Sequence, residues 1–129
     1  METLLEIILT PNAPEPIGPY SQAVKSRDFL FCSGQIAIDP KTGAMVQSSV
    51  EEETKQVMKN IRAVLEANGA TFANVVKTTI FLTNMGDFAA MNKIYEVGIG
   101  TSRPARTTVQ VAALPKGARV EIECIASLA

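Results

Sequence analysis

The strongest constraint on the fold lies near the C-terminus, where two runs of period two flank a break at Leu114-Pro115-Lys116-Gly117. In the first run Val109 and Val111 point one way. In the second, Val120, Ile122 and Cys124 form an apolar row, with Glu121 and Glu123 on the other side. Such alternation is the pattern of a strand with one buried face, so the stretch reads as two strands joined by a short connection. Pro104 fixes its own φ and disfavours helix at Arg103, so Arg106 enters the first strand directly after Pro-Ala. A guanidinium at a strand start and a carboxylate inside the next strand can together grip or process a small anion. The same pattern is equally consistent with a solvated edge.

Upstream, the chain supplies partners for these strands. Thr3 to Leu9 reads as a first strand, and the prolines from Pro11 to Pro19 keep the following segment extended or turning. A second strand is expected from Tyr20 to Lys25. After a turn at Ser26-Arg27-Asp28 comes a third, Phe29 to Ile38, interrupted by Ser33-Gly34. A glycine inside a strand marks a bulge or a close approach to the backbone. Asp39-Pro40-Lys41-Thr42-Gly43 is a turn.

Helix is expected from Ser49 to Asn68, because Val50, Val57, Met58, Ile61, Val64 and Leu65 share one face at helical spacing. Ser49 with Glu52 fits a capping box, and Gly69 supplies a left-handed stop. Val75 to Leu82, β-branched and nearly continuously apolar, reads as a central, well-buried strand. A second helix starts after Asn84-Met85-Gly86, with Asp87 as its expected cap, and ends around Gly98 to Gly100. Phe88, Met91 and Tyr95 form its apolar stripe. Asn92 lies on or beside that stripe, where a polar side chain must find a partner. The resulting order, βββαβαββ, implies an α+β fold with one mostly antiparallel or mixed six-stranded sheet and two helices on one face.

With 129 residues, the chain is the length of one domain (1–129) with a sizeable core. It contains no histidine, and its two cysteines, Cys32 and Cys124, sit far apart in alternating runs. That composition argues against ordinary zinc sites, Ser-His-Asp or Cys-His nucleophiles and a histidine base, and no metal is expected. Buried free thiols are expected rather than a disulfide. A formal net charge of −1 provides no general attraction for nucleic acid or anionic membrane. The apolar run Leu4 to Leu9 lacks a basic region before it and falls far short of the ~20 residues that span a bilayer, so a soluble, cytoplasmic protein is expected.

Four blocks carry a family resemblance. Pro104 to Glu123, Ile17-Gly18-Pro19-Tyr20-Ser21-Gln22-Ala23, Ser33-Gly34-Gln35-Ile36 and Val76 to Leu82 resemble, in the same order, the signature segments of the RidA/YjgF family of enamine/imine deaminases. The resemblance spans nearly the whole chain. It implies a chorismate-mutase-like fold, a homotrimer with sites in the clefts between subunits, and no cofactor. The implied reaction is hydrolysis of reactive 2-imino or enamine acids, such as 2-aminoacrylate or 2-iminobutanoate, to 2-oxo acids and ammonia. In this resemblance Arg106 matches the arginine that holds the substrate carboxylate. Glu121 matches the strand glutamate that positions water or relays a proton. Tyr20, Ser33, Gly34, Asn92 and Thr108 match positions lining the cleft.

There are two departures from the family pattern. Many members carry a cysteine at the position of Thr108, and many carry an aromatic pair where this chain has Gly98-Ile99. A non-catalytic 2-oxo-acid-binding regulatory protein is a second reading of the same residues. An endoribonuclease or translation inhibitor is a third, for which the sequence offers neither a basic run nor exposed aromatic interleaving.

Overall fold

The structure is a computed structural model and describes residues 5–129. Strand β1 (Leu5–Ile8) is followed by β2 (Ala23–Ser26), β3 (Phe29–Gln35), α1 (Val50–Glu66), β4 (Val75–Leu82), α2 (Phe88–Ile99), β5 (Ala105–Gln110) and β6 (Val120–Ser127). The strands form one six-stranded mixed sheet in the order β1-β2-β3-β6-β4-β5. The expected element order and α+β class hold. The first three strands are shorter than the alternation suggested. Thr3 and Leu4 lie outside the described residues, Tyr20 to Gln22 precede β2, and Ile38 makes only an isolated bridge to Met45.

The last two strands are not neighbours. β6 inserts antiparallel between β3 and β4, whereas β5 runs parallel to β4 at the sheet edge. Leu114-Pro115-Lys116-Gly117 is therefore not a hairpin turn, because the connection has to cross from the edge past β4. β6 takes the central place because each alternate residue, Val120, Ile122, Cys124 and Ala126, is buried against the helices. β5 presents mostly exposed residues, and Val109 and Val111 form no buried row.

β4 is likewise buried on one side only, through Val75, Thr78, Ile80 and Leu82, while Val76 is exposed. Both helices cover the same face, where Val57, Ile61, Val64, Leu65, Met91 and Tyr95 join the strand residues in one core. The opposite face carries an apolar row across four strands. Ile7 pairs with Val24, Val24 with Phe31, and Phe31 with Ile125. Ile7 is 71% and Phe31 47% exposed in the single chain.

The helix ends follow the expected chemistry with two differences. Ser49 accepts from the Glu52 amide at 3.1 Å, but the Glu52 carboxylate turns to Lys55 (3.2 Å) instead of closing the capping box. Gly69 adopts φ +68° just past α1, the left-handed conformation that a side chain disfavours. Asp87 makes no side-chain cap. Asn84 does the work one turn earlier, accepting from the Gly86 amide at 2.8 Å in a 3-10 turn that leads into α2.

Three buried polar side chains fix the loops around the sheet's upper end. Gln22 is 1% exposed; its carbonyl accepts from Thr10 N at 2.7 Å and its amide donates to the Thr10, Ala13 and Pro14 carbonyls. Asn60 donates to the Ile36 and Ile38 carbonyls at 3.1 and 2.9 Å. Glu53, fully buried, accepts from the Arg119 amide at 3.0 Å and pairs with its guanidinium Nε at 2.9 Å.

A backbone group left buried without a partner costs ~1–3 kcal/mol. Gln22→Leu strands several at once, and it should destabilise the fold by about 3 kcal/mol. Urea denaturation checks this: the midpoint should drop while the slope stays unchanged.

Candidate functional site

The alternation of β6 that drives Ile122 and Cys124 into the core turns Glu121 and Glu123 onto the open face of the sheet. There Glu121 lines a cleft of about 460 Å³ with Tyr20, Ser33, Gly34 and Ile36. The β-bulge expected at Ser33-Gly34 is present, since the β3–β6 register shifts between Cys32 and Gln35. Gly34 is also a close-approach position: a Cβ there would collide with the Glu121 carboxylate, reaching 2.9 Å from its Cδ. The bulge and the glycine together make room for that carboxylate. Burial raises the Glu121 pKa above the ordinary carboxylate range, and the neighbouring negative charge of Glu123 adds to the shift.

Ser33 lines this cleft and also braces its wall. Its hydroxyl donates to the Ser21 carbonyl at 2.6 Å and its amide to the Gln22 carbonyl at 2.9 Å, so both donors are committed to the segment before β2. Tyr20, half exposed, stands at that segment's start, and its hydroxyl accepts weakly from Ile17 N at 3.4 Å. Ser33 thus ties down the wall on which Tyr20 is mounted, as does Gln22, whose role one isolated polar residue in the sequence could not reveal.

Arg106 lies elsewhere. Its register partner is Thr78, a core residue, so its side chain leaves β5 on the helix-bearing face. The guanidinium Nη1 donates to Asn92 Oδ1 at 2.6 Å, and its carbon sits 5.1 Å from the Tyr95 ring centre and 5.6 Å from that of Phe88. Asn92 is therefore a partnered amide facing Arg106. Arg106, Asn92 and Tyr95 line a second cleft of about 330 Å³ that also includes Glu96, Ile99 and Arg103. Arg103 itself donates to the Gly100 and Ser102 carbonyls and closes the end of α2. Thr108, two residues along β5, has a buried hydroxyl without a hydrogen-bond partner among the described residues.

Within one chain the expected site residues therefore fall into two groups, with Tyr20, Ser33, Gly34 and Glu121 in one and Asn92, Arg106 and Thr108 in the other. Arg106 and Glu121 are two strands and three residues apart in register and point to opposite faces. From strand geometry their Cα atoms are about 14 Å apart.

The fold and these groups define a small α+β protein with an exposed arginine in one cleft and a partly buried strand glutamate in another. Residues 10–128 match the family model described as Endoribonuclease L-PSP. The chain belongs to that family, the RidA/YjgF family. It is 50% identical to the 2-iminobutanoate/2-iminopropanoate deaminase of Mus musculus, over 94% of this chain and 90% of that one. A RutC family protein of Pyrococcus horikoshii is 53% identical over 94% of this chain and 96% of its own length. Among solved structures, the Rid family protein YyfA of Yersinia pestis superposes with a TM-score of 0.92 at 52% identity, covering 95% of this chain and 98% of that one. Among the described residues no helix is long and apolar enough to cross a membrane.

The raised pKa of Glu121 has a consequence for stability. A carboxyl that holds its proton more tightly folded than unfolded makes the folded state bind more protons between the two pKa values, so stability falls as pH rises through that window. Glu121→Gln removes the buried charge and should stabilise the fold at pH 7. The gain should vanish below the ordinary carboxylate range, where Glu121 is protonated in both states. Urea midpoints of wild type and variant at pH 7 and about pH 3.5 measure it.

Proposed function

We propose that the protein hydrolyses reactive 2-imino and enamine acids, such as 2-aminoacrylate or 2-iminobutanoate, to the 2-oxo acid and ammonia. The observation that carries this reading is the condition of Arg106. It is oriented by an amide and two aromatic rings, and no carboxylate among the described residues forms a salt bridge with it. Its planar fork is thus free to hold a substrate carboxylate bidentately, which a lysine would not reproduce. The mouse relative's name specifies this activity, and the match covers most of both chains.

In the proposed reaction an enamine acid first tautomerises to its imine by moving a proton from nitrogen to C3, Arg106 anchors the carboxylate, and water adds to C2 of the C=N bond. Glu121 takes a proton from that water and returns one to the nitrogen. A second transfer through Glu121, from the carbinol hydroxyl to the amine of the tetrahedral intermediate, lets the C–N bond break as the carbonyl forms and ammonia leaves. A carboxyl with a raised pKa suits a group that must both accept and give a proton near neutrality. Tyr20 walls the cleft, Gly34 admits the carboxylate of Glu121, Asn92 orients Arg106, and Thr108 contributes backbone groups beside the ligand.

The site is completed in a homotrimer, where the Arg106 group of one subunit faces the Glu121 group of the next. Two observations support this. The groups are too far apart to act on one small molecule within a chain, and the open sheet face carries the exposed apolar row of Ile7 and Phe31. The carboxylates of Glu15, Glu121 and Glu123 in one cleft repel a phosphodiester backbone, which favours a small substrate over RNA. The protein works in the cytoplasm on this reading.

A dehydratase-coupled assay that follows 2-oxo acid release tests the proposal. Arg106→Ala should lower kcat/KM by ~10- to 150-fold, the worth of one charge-assisted contact. Glu121→Gln should lower kcat by ~100-fold or more while 2-oxobutanoate still binds. Full turnover in Glu121→Gln would remove the glutamate from the chemistry, and no acceleration by wild type would leave a 2-oxo-acid-binding regulatory protein.

A further inference from the structure

Arg106 sits on an exposed edge strand, where a free arginine side chain samples many rotamers and loses that freedom when a ligand fixes it. Its surroundings remove much of that freedom in advance. Phe88, Asn92 and Tyr95 follow one another at spacings of four and three along α2 and therefore stack on one side of the helix. All of them meet the guanidinium, Asn92 by hydrogen bond and the two rings by their faces. None carries a charge. The cation is thus oriented without being neutralised, whereas a carboxylate in the same place would compete with the substrate.

Of the two rings, Tyr95 is the nearer and the better fixed. It is 6% exposed, and its hydroxyl shares a 2.9 Å hydrogen bond with Thr78 Oγ1. Thr78 is the β4 residue paired in register with Arg106. The hydroxyl bond therefore ties α2 to the sheet at the row from which the arginine emerges, and the ring spans the gap to the guanidinium. We infer that Tyr95 is the positioning residue for Arg106, holding the guanidinium by its ring face.

This inference rests on the reading of Arg106 as the carboxylate anchor, and its test has one arm that does not need catalysis. In wild type the side-chain Nε–Hε NMR signal of Arg106 should be displaced by the ring current of Tyr95. Tyr95→Leu should return it towards the position of a solvent-exposed arginine, and Tyr95→Phe should leave it displaced. In the coupled assay Tyr95→Leu should raise KM by ~3- to 30-fold, the range of a cation–π contact, with a smaller change in kcat. Tyr95→Phe should recover most of that loss.

If Tyr95→Leu does not fold, Tyr95→Met fills more of the vacated volume and carries the same measurements. A folded variant without the ring that keeps the wild-type Arg106 signal and KM would overturn the inference. So would Tyr95→Phe behaving like Tyr95→Leu, because the effect would then belong to the helix–sheet tie and not to the ring. Should wild type show no imine hydrolysis, the deaminase reading fails while the NMR arm still decides the role of Tyr95.

Discussion

The structure depends on β6 lying between β3 and β4 with its two faces in different surroundings. Val120, Ile122, Cys124 and Ala126 are all buried, and fully burying side chains of the valine and isoleucine size contributes ~1.5–3 kcal/mol each. This row fixes the register, since a slip of one residue would exchange it for Glu121, Glu123 and Ile125. The position of Glu121 is therefore decided by hydrophobic burial on the other face of its own strand. A carboxylate that is unfavourable where it stands is held there by residues on the opposite face of its strand. The bulge at Ser33-Gly34 completes the arrangement, because without it and the missing Cβ the next strand would occupy the carboxylate's space.

A second level of organisation comes from buried polar groups. Gln22, Asn60 and Glu53 each replace the water that a loop carbonyl or amide would otherwise bind, and each reaches a segment bordering the Glu121 cleft. Loops held in this way cannot relax without leaving polar atoms unpaired, which makes the cleft wall stiff although it is not regular secondary structure. The Glu53–Arg119 pair is a clear instance. Removing Arg119 leaves the buried Glu53 carboxylate without its ion-pair partner, so the pair enforces one path for the chain entering β6 even though its net contribution to stability is small.

Local pattern made much of this legible in the sequence. The amphipathic stripe of α1, its Ser49 cap, the Gly69 stop and the alternation of β6 are short-range signals, and they predicted the elements correctly. What was not legible depends on distant pairing. Period two in Arg106 to Val111 says strand, but it does not say that β5 would run parallel to β4 at the edge and leave Val109 exposed. The apolar run of β4 suggested a well-buried strand but could not show that one face stays open, because valine, isoleucine and phenylalanine on an open face read the same as in a core. Asp87 looked like a cap because aspartate there has the right chemistry, yet the chain turns earlier at Asn84. The site residues were recognisable by type and resemblance, while their division between two faces of the sheet was set by the parity of Arg106 and Glu121 in a register that no single sequence displays.

That parity bears on how the site works under the proposed reading. A side chain on the helix-bearing face at an edge strand and another on the open face cannot meet inside one sheet, however the loops move. They can meet only where the β5 edge of one copy is laid against the open face of another. The exposed Ile7 and Phe31 row would then be buried by the same contact that brings Arg106 towards Glu121. Assembly and site formation become one event. The cost of desolvating Glu121 further is met by apolar burial at the interface, and a subunit alone keeps its anchor and its proton carrier apart. Orientation of Arg106 within its own subunit then matters more, because the interface can align two rigid half-sites but cannot correct a wandering guanidinium.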